Sequence, residues 1–147
     1  MEATIETALA MAAVAHRGQT DKAGEPYILH ILRVVLAVDG HDERIAAALH
    51  DIVEDTPTTL PMLIDAGVSP RVVSAVDALS RRSGETYGDF IRRCRADPIG
   101  RAVKLADLQD NLCVQRLPRI TPEDEKRTRR YFDAVAILSD ETPHDPR

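Results

Sequence analysis

Apolar residues recur at helical spacing along nearly the whole chain, and no stretch alternates with the period of two that a half-buried strand requires. This pattern predicts an all-α fold. Ile5, Leu9, Ala12 and Ala13 give a first helix face that fades near Gly18, and a polar loop follows from Gly18 to Gly24. Pro26 suits the first turn of a second helix with Ile28, Leu32, Val35 and Leu36 on its apolar face and Gly40 past its end. Asp42 is placed to cap a third helix with Ile45, Leu49 and Ile52 inward, and Asp55-Thr56-Pro57 stops it, because the residue before a proline avoids the helical region. Leu60, Leu63 and Ile64 make a short helix closed by Gly67, Ser69-Pro70 opens another through Val72, Val73, Val76 and Leu79, and Tyr87, Phe90, Ile91 and Cys94 repeat the pattern. Asp97-Pro98 and Thr121-Pro122 open the last two, through Ile99, Ala102, Val103 and Ala106 and through Tyr131, Val135 and Leu138. The expectation is one domain over residues 1–138, a bundle of about eight helices, with a polar, disordered tail at 139–147.

With 147 residues, 44% of them hydrophobic, such a chain buries one core without disulfides or a structural metal, so any metal serves chemistry. The net charge of −5 gives no basic footprint for a nucleic acid polymer, while leaving small phosphorylated ligands open. Apolar runs end well before the ~20 residues of a membrane span, and Met1-Glu2-Ala3-Thr4 lacks the basic start of a signal peptide. A cytoplasmic protein with no membrane partner is expected. Cys94 and Cys113 are isolated, which reads as two reduced thiols rather than a bridge or a zinc site.

The ionisable residues are less easily explained by packing. Asp51, Glu54 and Asp55 crowd the C-terminal end of the third helix, where the macrodipole is negative and each carboxylate costs ~0.3–1 kcal/mol. A solvated acidic helix end accounts for Glu54 or Asp55 taken singly, and His50-Asp51 is a common dipeptide. The company is what matters: His30 stands in an otherwise apolar helix, and Asp107 interrupts the inward stripe of Ile99, Val103 and Ala106. Two imidazoles and two carboxylates suit a borderline-hard divalent ion such as Mn²⁺ or Fe²⁺, with positions left for water and a substrate oxygen. Spacing alone leaves Asp107 and Asp110 as equal candidates for the fourth ligand. Lys104 and Asn111 share a helix face with Asp107, which fits either a phosphate or sugar contact or an ordinary Lys104–Asp107 pair. Gln19 and Lys22, in the glycine-flanked loop, are further phosphate candidates, although no Walker-type motif is present.

Four stretches carry a resemblance: Ala15-His16-Arg17-Gly18-Gln19, Gly24-Glu25-Pro26-Tyr27-Ile28-Leu29-His30, Ala48-Leu49-His50-Asp51-Ile52-Val53-Glu54-Asp55-Thr56, and Val103-Lys104-Leu105-Ala106-Asp107 with Asn111. In this order, over roughly residues 5–138, the chain resembles the HD phosphohydrolases, most of all the hydrolase domain of stringent-response RelA/SpoT enzymes and their small stand-alone relatives. The resemblance implies an HD-type helical bundle in which His30, His50, Asp51 and Asp107 bind one Mn²⁺, or Fe²⁺ or another divalent ion in its place. Glu54 and Asp55 match the acidic pair that activates the attacking water, and Asn111 matches a nucleotide contact, with Lys22 and Lys104 beside it. The implied reaction removes the 3′-pyrophosphate from (p)ppGpp, giving GDP or GTP and pyrophosphate; some stand-alone relatives are reported to act on NADPH.

Three departures bear on that expectation. Where the family commonly has an Arg-Lys pair in the loop, this chain has Asp21 and Lys22, so a negative charge replaces a cation able to stack on the base. Ile31 replaces the usual proline after the ligand histidine, and Leu108-Gln109-Asp110 changes the setting of Asn111. A length of 147 residues leaves no room for synthetase or regulatory domains, so the activity expected is hydrolytic. The alternatives are a nucleotide phosphatase of the same fold with another substrate, which Asp21 favours, and a catalytically silent nucleotide-binding domain, which the retained Glu54 and Asp55 disfavour.

Overall fold

The computed structural model describes residues 1–113, 117 and 119–139. Among these residues the chain forms α1 (Ile5–Ala15), α2 (Tyr27–Ala37), α3 (His41–Leu49), α4 (Ile52–Asp55), α5 (Leu60–Asp65), α6 (Pro70–Ala78), α7 (Tyr87–Ala96), α8 (Pro98–Asn111) and α9 (Pro122–Ser139). The only β-type pairing among them is an isolated bridge between Thr20 and Pro26, which pinches the base of the loop between α1 and α2. Among the described residues no helix is long and apolar enough to cross a membrane. The tail expected at 139–147 lies outside the described residues, apart from Ser139, which ends α9.

The helix starts follow side-chain chemistry. Thr59, Ser69, Thr86 and Asp97 accept hydrogen bonds from the backbone N–H groups of Met62, Val72, Asp89 and Gly100, each satisfying a donor that the first turn leaves without a partner. α3 starts two residues earlier than expected: Gly40, with φ of +97°, is the N-cap, and Asp42 lies inside the first turn, where its charge favours the dipole. A side chain at Gly40 would also collide with Glu43.

α3 is the central helix, packed against α1, α2, α6 and α8. Its buried run Ile45-Ala46-Ala47-Ala48-Leu49 explains how this is possible: three alanines admit neighbours on several sides at once. The third helix of the sequence reading breaks at His50-Asp51, and Ile52–Asp55 continues as the short α4. α2 is rotated relative to expectation. Ile31, Val34 and Val35 are buried with His30, whereas Leu32 and Leu36 are exposed. The helix is apolar on more than one side, so hydrophobic spacing does not single out one face; burial of His30 selects the one observed. Ile64 and Ala13 likewise face outward.

Cys94 is fully buried, its thiol directed at the carbonyl of Ala78, and burial pushes its pKa up to about 11; Cys113 is exposed. Iodoacetamide at pH 8 is therefore expected to label Cys113 in the native protein and to reach Cys94 only after denaturation, as peptide mass spectrometry will read; rapid native labelling of Cys94 would contradict this packing.

Candidate active site

α2, α3 and α8 each bring ionisable side chains to one buried place. One ligand atom each from His30, His50, Asp51 and Asp107 lies within 4.8 Å of all the others, the only such cluster among the described residues. His30 Nε2 is 3.0 Å from an Asp107 oxygen and 3.9 Å from Asp51; His50 Nε2 is 3.0 Å from Asp51 and 3.5 Å from Asp107. Asp110, equal to Asp107 by spacing, stands behind the cluster on the other nitrogen of His30.

The second nitrogen of each imidazole fixes its tautomer. His50 Nδ1 lies 2.7 Å from the carbonyl oxygen of Ala47, which can only accept, and His30 Nδ1 lies 2.6 Å from Asp110, itself held by Arg33 at 2.7 Å. Both Nδ1 atoms therefore carry hydrogen, and in the neutral rings both Nε2 lone pairs point at the cluster. These Nε2 atoms are buried and have no hydrogen-bond partner. Two inward lone pairs beside two carboxylates form a donor set that a divalent cation satisfies.

Electrostatics agree. Burial acts to lower the pKa of His50, but the Asp51 and Asp107 carboxylates outweigh it and hold the imidazole well above its ordinary value; His30 is raised in the same way, chiefly by Asp107. Asp107 stays far below the usual carboxylate range despite burial, because Lys104 and His50 face it. Lys104 Nζ donates to Asp107 at 2.8 Å and Asn111 Nδ2 to its other oxygen at 3.0 Å. Tyr27 donates a short hydrogen bond to Asp51.

The acidic pair sits at the rim. Glu54 accepts the backbone N–H of Arg81 at 2.7 Å, and its other oxygen has no hydrogen bond among the described residues. Asp55 has its pKa raised by partial burial and then by the neighbouring Asp51 and Glu54. Gln19 bonds His16 at 2.8 Å and the carbonyl of Asp55 at 3.0 Å, so it braces the end of α4 and is not free for a phosphate. Beside His30 opens a cavity of about 360 Å³, lined among others by Lys22, Arg33, Asn111, Arg127 and Tyr131. Of the three expected substrate contacts, Lys22 and Asn111 face this cavity, while Lys104 is committed to Asp107 and lies over the Phe90 ring.

Sequence reasoning missed Arg127, Tyr131, Arg33 and the Tyr27 hydroxyl. The spacing of four between Arg127 and Tyr131 puts them on one face of α9 and was a readable signal; the association of Arg33 with Asp110 and of Tyr27 with Asp51 needs the fold. Asp21 also acquires a local explanation. Its carboxylate accepts the backbone N–H groups of Ala23 and Glu25 at 2.9 and 3.0 Å, holding the loop closed on itself.

Residues 8–89 match the HD domain. The chain belongs to the HD-domain family. It is 33% identical over 120 residues, 74% of its length, to the guanosine-3′,5′-bis(diphosphate) 3′-pyrophosphohydrolase of Aquifex aeolicus, of which it spans 17%. It is 35% identical over 147 residues, 92% of its length, to the GTP pyrophosphokinase of Streptomyces coelicolor, again spanning 17%. The bifunctional (p)ppGpp synthase/hydrolase SpoT of Escherichia coli is 32% identical over 130 residues, covering 79% of the chain and 18% of that protein. The chain thus spans less than a fifth of these curated relatives. A solved structure described as a metazoan ortholog of SpoT that hydrolyzes ppGpp superposes with a TM-score of 0.76 at 24% identity, over 97% of this chain and 89% of the other, and so shares the fold. An HD domain implies a divalent metal, and the His/Asp cluster is where such an ion fits.

Two outcomes are expected. Metal analysis should find about one divalent ion per chain, lost in His50→Ala or Asp51→Ala with little change in far-ultraviolet circular dichroism; two tightly held ions would rule out the mononuclear site. Asp21→Asn, which keeps an acceptor oxygen, should stay within ~0.5 kcal/mol of the parent, whereas Asp21→Arg should lose roughly 0.5–2 kcal/mol of stability, as an N-cap-like acceptor does, by chemical denaturation.

Proposed function

We propose that this chain is a divalent-metal phosphohydrolase that removes pyrophosphate from an alarmone-like nucleotide such as (p)ppGpp, using Mn²⁺ as its ion. The observation that carries this reading is the conjunction of a buried two-histidine, two-aspartate cluster with the acidic pair Glu54 and Asp55 at its rim and a cavity bearing Lys22 and Arg127 beside it. The names of the relatives point the same way. In this reading His30, His50, Asp51 and Asp107 hold the ion. Bound there, it supplies Lewis-acid stabilisation of phosphate charge and acidifies water.

The chain's own groups divide the remaining work. In ppGpp hydrolysis the water oxygen forms a bond to the phosphorus on the ribose 3′ oxygen, the bond from that phosphorus to the 3′ oxygen breaks, and GDP and pyrophosphate result. Glu54 accepts the proton of the attacking water: one of its oxygens is fixed by the Arg81 amide, which orients the other. Asp55, with its pKa displaced toward neutrality by burial and by Asp51 and Glu54, is the second group able to hold that proton. Lys22 and Asn111 bind the nucleotide in the cavity; Lys104 acts through Asp107, keeping it ionised. Tyr27 orients Asp51.

A second reading keeps the chemistry and changes the substrate to another phosphorylated nucleotide, such as NADPH. It is favoured by Asp21, which puts a carboxylate on the cavity wall. Purified protein loaded with Mn²⁺ and offered ppGpp, pppGpp, NADPH and simple nucleotides, with product analysis, separates the two. Release of pyrophosphate and GDP is the expected result, and inertness toward all of them would overturn both. Glu54→Gln should retain the metal and lose ~10²–10⁴ in kcat; turnover at the parental rate would transfer the proton to Asp55.

A further inference from the structure

Three arginines of the α6–α7 loop and α7 have carboxylate partners: Arg82 pairs with Asp77, Arg92 with Asp89 and Arg93 with Glu85. Arg81 does not. Its guanidinium donates to the carbonyl of Glu85 at 3.3 Å and lies 5.7 Å from the centre of the Tyr87 ring. Arg130, from α9, lies over the same ring at 4.8 Å. Both arginines are exposed, and neither has a carboxylate within ion-pair distance among the described residues. The hydroxyl of this same Tyr87 is buried without a hydrogen-bond partner, a state that native proteins rarely leave unexplained.

The position of this group relates it to the metal cluster. The backbone N–H of Arg81 is the one that holds Glu54. Tyr87 packs edge-on against Phe90, with centroids 6.1 Å apart, and Lys104 lies over Phe90 while donating to Asp107. Arg81 thus touches the proposed proton acceptor through its backbone, Tyr87 is linked to a proposed metal ligand through Phe90 and Lys104, and Arg130 lies over the Tyr87 ring, yet none of the three lines the cavity that takes the nucleotide.

We infer that Arg81, Arg130 and the Tyr87 hydroxyl form a second anion subsite, which takes the pyrophosphate end of the substrate while the cavity holds its nucleoside end. This rests on the phosphohydrolase reading. Guanidinium forks match phosphate oxygens bidentately, and two of them around one ring suit a diphosphate better than a single phosphate. The hydroxyl gains the acceptor it lacks.

Calorimetric titration of the full chain with sodium pyrophosphate, with Mn²⁺ and again in EDTA, tests the subsite without turnover. Arg81→Gln and Arg130→Gln should each weaken binding about five- to twentyfold in both conditions, and orthophosphate should bind at least about tenfold more weakly than pyrophosphate. Tyr87→Phe should weaken binding about three- to tenfold without lowering the melting temperature, which a purely structural tyrosine hydroxyl would not do. Arg71→Gln removes the same charge from an exposed site on α6 and should change nothing. The inference is overturned if the parent binds no pyrophosphate, if the three substitutions leave its affinity unchanged, or if Arg71→Gln weakens it equally, since long-range charge then accounts for the effect. Pyrophosphate binding through these residues in a chain that hydrolyses no nucleotide would remove the functional reading and keep the subsite; hydrolysis with unaltered pyrophosphate affinity in the variants would do the reverse.

Discussion

Two carboxylates, the partly buried Asp51 and the buried Asp107, bring oxygens within 4.8 Å of each other at the junction of three helices. Two unit charges at about 4 Å repel by roughly 4 kcal/mol at an effective dielectric of 20, a large share of the stability of a small domain. The surroundings read as an answer to that repulsion. Lys104 and Asn111 donate to Asp107, Tyr27 donates to Asp51, and the two imidazoles stand between them with raised proton affinity. Protons on His30 and His50 and a divalent cation at their Nε2 atoms are competing ways of neutralising the same pair, which is why ligand sets of this kind bind metal in exchange for protons.

The fold supplies the geometry for this. α3 ends at Leu49 and restarts as α4 at Ile52, so His50 and Asp51 occupy a break where their side chains need not follow one helical stripe. At this break the carbonyl of Ala47 accepts the backbone N–H of His50 at 3.5 Å and its Nδ1 at 2.7 Å, so one carbonyl both caps α3 and sets the tautomer of the imidazole.

The all-α class and the capped helix starts at Ser69 and Asp97 were legible in short-range pattern, whereas the full four-residue set followed only from the resemblance. His30 and Asp107 were conspicuous for being polar where burial was expected, and both are buried. The rotation of α2 was not legible, since Ile28, Leu32 and Leu36 fit one face as well as Ile31, Val34 and Val35 fit another; the choice is made by α3 and α8 packing on the side that carries His30. Spacing could not separate Asp107 from Asp110. The fold does so by giving Asp110 to Arg33 and to His30 Nδ1, one step behind the cluster. Asp21, read against its relatives as a lost stacking cation, turns out to bind its own loop.

A net charge of −5 gives no basic footprint for a polyanion and says nothing of where the positive charge lies. Asp51, Glu54, Asp55 and Asp107 stand at the His/Asp cluster and its rim, and the cavity beside them is given Lys22 and Arg127, brought together from the loop after α1 and from α9. Lys22 has its pKa lowered by burial and then by Arg127, with Asp124 opposing. An anion bound between Lys22 and Arg127 would raise the proton affinity of Lys22 in return, since linkage acts equally in both directions. A chain acidic in sum thus places Lys22 and Arg127 on one wall of this cavity close to the Asp51 and Asp107 carboxylates, and a divalent ion held by those carboxylates would offset their repulsion of an anion.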